Sequence, residues 1–135
     1  MTASSDFSAP QPVSENNLCS VIGEAGIAQL VAAFYRRIPA DDLLGPMYPA
    51  RDLAGAEDRL RWFLLFRFGG PRTYLERRGH PALRMRHAPF PVTAAARDRW
   101  IQLMTAAAEE CQFSAEVQVV LLRFLGQVAA FLQNQ

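Results

Sequence analysis

The sequence predicts an all-α fold with four principal helices, and three observations carry that prediction. Apolar residues recur at i, i+3, i+4 and i+7 over long stretches, no segment shows the apolar/polar alternation of a half-buried strand, and proline and glycine clusters divide the helical stretches. With 135 residues, half of them apolar, the chain can bury one core but hardly two, so a single domain is expected.

The first helix is justified from Glu24 onward, where Ile27, Leu30, Val31, Phe34, Tyr35 and Ile38 make one apolar stripe. Gly23 and Gly26 stand at its start, where backbones can come close. The segment PADDLLGPMYP then breaks the pattern and leaves room only for a short helical turn. Asp52 is placed to cap a second helix over Leu53 to Phe68, whose inward face carries Leu53, Ala56, Leu60, Phe63 and Leu64. Gly69, Gly70 and Pro71 stop it. From Pro71 to Pro91 the chain is charged and broken, with a single turn predicted at Ala82 to Ala88 after Pro81. Thr93 offers an N-cap for a helix to about Cys111, with Trp100, Leu103, Met104, Ala107 and Cys111 on one face. Ser114 caps the last helix, whose stripe is Val117, Val120, Leu121, Phe124, Leu125, Val128, Phe131 and Leu132.

Composition narrows the function classes. Fourteen arginines oppose thirteen acidic residues for a formal charge of +1, and no continuous basic run forms the footprint of a nucleic-acid binder. Cys19 and Cys111 are too few and too far apart for a disulfide framework, a CxxC redox pair or a thiolate metal site. The N-terminus lacks the charged and apolar regions of a signal peptide, and no uninterrupted apolar run reaches bilayer length, so a cytoplasmic protein without a membrane span is expected. Residues 1–15, rich in Ser, Pro and Ala at their start, are expected as a flexible tail before a domain over 16–135.

The stretch RGHPALRMRHAPFP concentrates the chemistry, since it holds both histidines of the chain. His80 and His87 are seven positions apart and cannot chelate one ion from a single helix face. No HExxH, EF-hand loop, Walker A, GxGxxG or GxSxG motif is present. Tyr35 and Trp100 lie within apolar stripes, and Tyr48 follows the GPMYP turn. Buried phenols and indoles need hydrogen-bond partners, and core packing accounts for each one singly. Taken together with an apolar second helix and a histidine in an irregular segment, they describe a pocket for a flat, apolar, metal-centred cofactor.

At these residues the sequence resembles the group II truncated haemoglobins of bacterial type. FYRRI, MYPARDLAGAEDRLRWFL, FGGPRTYLERRGHPALRMRHAPFPV and RDRWIQLM carry the resemblance, which runs from about Gly23 to Cys111. It implies a two-over-two α-helical sandwich around haem b. His87 matches the position of the proximal iron ligand. Arg86 and Arg59 match positions from which cations reach the haem propionates, with Arg84 as a substitute, and His80 matches a structural position. On the opposite face Tyr35, Tyr48 and Trp100 match the polar distal cluster. Ala56 matches the place where many globins carry a distal histidine, and Leu60 would press on the ligand. Dioxygen on ferrous iron acquires superoxide character, so phenol and indole donors hold it more firmly than a neutral diatomic.

The function this implies is haem-iron binding of O2, and of NO, CO or peroxide, in oxygen storage or transport. A nitric oxide dioxygenase or peroxidase working with a separate reductase is the enzymatic alternative. A haem-free helical interaction domain, in which the aromatics are core, is the remaining one. Trp62, Leu65 and Phe66 of the second helix are expected to leave apolar surface exposed, which points to a homodimer.

Overall fold

The computed structural model describes residues 12–135. Of the expected tail, residues 1–11 lie outside the described residues. From Pro12 the chain is tied down: Ser14 opens a 3-10 turn over Glu15–Asn17, and the Asn17 side chain both donates to Pro12 O (2.9 Å) and accepts from Ser14 N (2.9 Å).

Helix α1 spans Leu18–Arg36 and is broken at Gly23, whose φ of 78° and ψ of 163° lie outside the helical region. The stripe from Ile27 onward is buried as predicted, but the helix also runs back to Leu18. Leu18 and Cys19 are in a different phase from that stripe, and only a residue without a Cβ lets the chain change phase so abruptly. Helix α2 spans Leu53–Arg67. Its start is where predicted, but Asp52 makes no side-chain cap; its carboxylate instead takes the Arg59 guanidinium at 2.8 Å. Gly69 stops α2 with φ of 89°.

Helix α3, Thr73–Arg78, occupies a stretch expected to be broken chain. Six residues are too few to show a periodic stripe, and one buried side chain, Tyr74, edge-packed on Phe63 at 5.6 Å, fixes the element. Helix α4, Leu83–His87, falls inside the predicted turn, and Ala82 before it is left-handed at φ 44°. Helix α5 covers Ala94–Glu110, with Thr93 Oγ1 accepting from Ala96 N at 3.1 Å. Helix α6 covers Ala115–Leu132, with Ser114 Oγ accepting from Val117 N at 3.2 Å. Both predicted caps are present.

α1 packs on α2, α5 packs on α6, and α1 joins the two pairs by packing on α5. This is a sandwich of two helical pairs. Its centre is filled by Phe34, Leu30 and Val31 of α1, Leu64 of α2 with Phe68 after it, Met104 of α5, and Leu121 and Leu125 of α6. Burying these large side chains supplies the main stabilisation of the fold. α3 lies on α2, and α4 lies on α6.

Three surface expectations need correction. Leu65 is buried, and Trp62 and Phe66 pack half-buried on the core with Arg77 stacked over Trp62 at 5.1 Å, so the apolar surface that pointed to a homodimer is largely covered. Phe131 is 53% exposed rather than inward, with the Arg84 guanidinium over its ring at 4.9 Å. The helical segments Glu15–Arg36 and Ala115–Leu132 are long and apolar enough, by length and composition, to cross a membrane. Scattered polar residues hid this from a reading of uninterrupted runs. In the fold each puts part of its apolar surface into the core, through Leu30, Val31 and Phe34 in the first and Leu121, Phe124 and Leu125 in the second, and the first segment is kinked at Gly23.

Candidate functional site

Tyr35, Tyr48 and Trp100 come together although they sit on three separate elements. Tyr35 closes the buried stripe of α1 and meets the Tyr48 ring edge-on at 5.7 Å. Phe34, beside it, takes Tyr35 at 5.1 Å and Trp100 of α5 at 5.6 Å, so one core ring seats two of the three polar aromatics. Burial pushes the half-buried Tyr48 phenol up to about 12, and the neighbouring Trp100 indole works the other way. The Tyr35 phenol is raised by burial first and by Tyr48 second; Arg59 opposes the rise and Glu57 adds to it. Those two influences place the cluster beside α2, on which Ala56 and Leu60 are half-buried against the core. Both phenols stay protonated at neutral pH and remain donors. Among the described residues no fully buried side-chain N or O atom lacks a partner.

The turn that carries Tyr48 is built by Asp41. Its Oδ2 accepts from Leu43 N at 3.1 Å and Leu44 N at 2.7 Å, and its Oδ1 accepts from Arg99 Nη1 at 2.8 Å. The Leu44 amide, more than Arg99, holds the carboxyl below the usual aspartate range. Arg99 directly precedes Trp100, so one ion pair fixes the Tyr48 turn to the helix bearing the indole. Sequence reasoning missed this brace; aspartates just after a proline at a helix end were the available signal.

His87 is the last residue of α4 and is half-buried, with Nδ1 at 2.8 Å from Leu83 O. A carbonyl can only accept, so Nδ1 carries the proton and Nε2 keeps its lone pair. That is the tautomer a metal-ligating histidine needs. Among the described residues no group of three or more His, Cys, Asp and Glu could hold a metal by itself. A metal brought in by a macrocycle needs only one such imidazole, and the residues present fit that case.

The two rim arginines sit differently from expectation. Arg59 is paired with Asp52 at the start of α2. Arg86 turns back into the α3–α4 corner and donates to Pro81 O (2.7 Å), Arg78 O (2.9 Å) and His80 O (3.3 Å), because that corner presents three carbonyls without helical partners. Arg84 lies on Phe131. His80 accepts from Ala82 N at 3.0 Å and is structural, as expected.

A further residue, Asn134, had no signal in the sequence because its contacts span more than forty positions. Its Oδ1 accepts from Val92 N at 3.0 Å, its Nδ2 donates to Phe90 O at 3.0 Å and to His87 O at 3.4 Å, and its own N–H donates to Val92 O at 2.9 Å.

Comparison with known proteins gives the same arrangement a family. The bacterial-like globin model matches residues 18–134. Group 2 truncated hemoglobin YjbI of Bacillus subtilis is 38% identical over 114 residues, covering 84% of this chain and 86% of that protein. The hemoglobin of the thermophilic phototroph Chloroflexus aurantiacus superposes with a TM-score of 0.84 at 42% identity, covering 88% of this chain and 98% of its own. A structure described as a truncated oxygen-avid haemoglobin from Bacillus subtilis superposes with a TM-score of 0.83 at 36% identity, covering 88% of this chain and all of its own. With four helices in two packed pairs, a lone-pair imidazole on a one-turn helix and this likeness along nearly the whole described length, the chain belongs to the group II truncated haemoglobins.

Proposed function

We propose that this chain binds dioxygen at the iron of haem b, with His87 as the protein ligand and Tyr48, Trp100 and Tyr35 as the group that stabilises the bound gas. Haem-based binding of small diatomic ligands comes with the family, which favours it over a haem-free interaction domain. The finer reading rests chiefly on one observation: three polar aromatics gathered from separate elements, with the Tyr35 and Tyr48 rings edge-on at 5.7 Å and Trp100 seated on the same Phe34 ring as Tyr35. The relative described as oxygen-avid is consistent with it.

When bound, haem supplies a ferrous centre that shifts electron density toward the outer atom of dioxygen. The protein's part is to offer donors whose protons are not lost near neutral pH. Burial secures that for both phenols. A ligand that bears partial negative charge would gain more from these donors than a neutral one would. Ala56 offers no polar side chain to compete, and Leu60 adds bulk. Arg59 is the better of the two rim candidates, since a propionate can exchange with the half-exposed Asp52, whereas Arg86 is held by three carbonyls and acts as a brace.

The test is to reconstitute the purified chain with haem, reduce it, and measure oxygen and carbon monoxide release by stopped flow. An intense Soret band and slow oxygen release are expected. A protein that takes up no haem, or that releases oxygen as readily as a pocket without donors, would overturn the proposal.

A further inference from the structure

We propose that Asn134 is a positioning residue for the proximal histidine, setting where the His87 imidazole stands relative to the haem plane. The proposal rests on the reading of His87 as the iron ligand and goes beyond it.

α4 is five residues long, a single turn that cannot hold itself in place. It begins at a left-handed alanine and ends in a segment with Pro89 and Pro91, which contribute no backbone donors. The bond from His87 Nδ1 to Leu83 O is internal to α4. It orients the ring on its own turn and leaves open where that turn sits. Arg86 fixes the front of α4 to the α3–α4 corner, again through neighbours within eight positions.

The long-range tie is made behind the histidine. A primary amide both donates and accepts, and Asn134 uses both functions: Oδ1 takes the Val92 N–H while Nδ2 gives to Phe90 O and, at the longer 3.4 Å, to His87 O. The backbone adds Asn134 N and Gln135 N, both donating to Val92 O at 2.9 and 3.3 Å. His87 O otherwise accepts only locally, from Phe90 N at 2.9 Å. The loop after the imidazole is therefore sewn to the segment that follows α6, and α6 is anchored in the core through Leu121, Phe124 and Leu125. No other side chain in this region joins an amide acceptor to two carbonyl-directed donors, and neither a carboxylate nor an alkyl group can replace it.

The experiment compares haem-reconstituted Asn134→Asp and Asn134→Leu with the unaltered chain. Gln133→Leu serves as control, because the Gln133 side chain bonds Arg97 at 2.6 Å and Gln135 O at 3.0 Å and makes no hydrogen bond to residues 87–92. The readouts are the iron–histidine stretching band of the ferrous protein, the rate of haem transfer to an acceptor globin, and, without haem, hydrogen exchange of the Val92 amide. Both Asn134 variants are expected to bind haem stoichiometrically, to shift or broaden the iron–histidine band, to lose haem about tenfold faster, and to expose Val92. Gln133→Leu is expected to leave the band in place. An unchanged band in both Asn134 variants overturns the proposal even if they melt earlier, and so does an equal shift in the control. A variant that does not fold is read through its partner substitution. Absence of any iron–histidine band in the unaltered chain would instead overturn the His87 reading, and this proposal with it.

Discussion

The two flanks of the site are held by opposite means. On the Tyr35 side, each functional side chain stands on a long helix or on a turn locked to one, and rings and an ion pair fix it against other side chains. On the His87 side, a one-turn helix is held through main-chain carbonyls by Arg86 in front and Asn134 behind. Side-chain packing in the core tolerates little displacement, whereas a braced loop can shift if one brace is lost. The first flank is thus suited to discriminate between ligands and the second to set the reach of one bond.

The sharpest way to break this comparison is His87→Ala. It should abolish stable haem attachment, read as loss of the Soret band, because His80 is held by Ala82 N and is not placed to substitute. A normal five-coordinate ferrous spectrum in that variant would remove His87 from its role.

Trp100→Phe comes next. It keeps a ring against Phe34 while deleting the indole donor. A hydrogen bond to a charged acceptor contributes about 1.5–3 kcal/mol, so oxygen release should speed up by about tenfold to a hundredfold. Carbon monoxide release should change far less. Equal changes for the two gases would mean that Trp100 acts by bulk.

Asp41→Ala should have a smaller effect, a severalfold faster oxygen release with the iron–histidine band unmoved, since it loosens the Tyr48 turn and leaves the other flank alone. It also carries a pH signature. The Asp41 carboxyl is held below its ordinary value of 3.8, so its contribution to stability is present above that value and is lost as pH falls through the lower, folded value. Melting curves should separate the variant from the parent at neutral pH and converge in acid. A constant gap down to the acid limb would show that the carboxylate charge is not what matters.

The smallest expected effect is a null one. With Tyr48 pushed up to about 12, oxygen release should stay level from pH 7 through 10. The phenol's contribution to stability is complete below its ordinary value of 10.0 and declines as pH rises through about 12. A break in oxygen release centred near pH 10 would place Tyr48 in solvent.

The same contrast explains what could be read from the residues alone. Tyr35 and Trp100 sit on periodic stripes, and Thr93 and Ser114 stand where the helices they cap begin, so local pattern was enough to find them. α3 escaped because a single tyrosine anchors six residues. Asp52 and Arg86 have the right chemistry for a cap and a rim contact, but each found a nearer partner that only the folded corner supplies. Asn134 is invisible in principle, since nothing near it in sequence resembles the loop it holds.

The glycines after α2 have a consequence for how sequences of this kind can drift. A Cβ at Gly69 would stand 2.3 Å from Asn16 O, and one at Gly70 would stand 2.6 Å from Cys19 Sγ, while Cys19 N donates to Phe68 O across the same seam at 3.0 Å. A Cβ at Gly70 would also stand 2.9 Å from Leu65 O, so rotating or shrinking the thiol is not enough to admit one. Gly69 meets backbone, and its φ of 89° already disfavours any side chain, so no single substitution elsewhere makes room for it. A lineage that lost this glycine would have to re-route its whole N-terminal turn, which makes position 69 a ratchet: easy to inherit, and nearly impossible to leave by single steps.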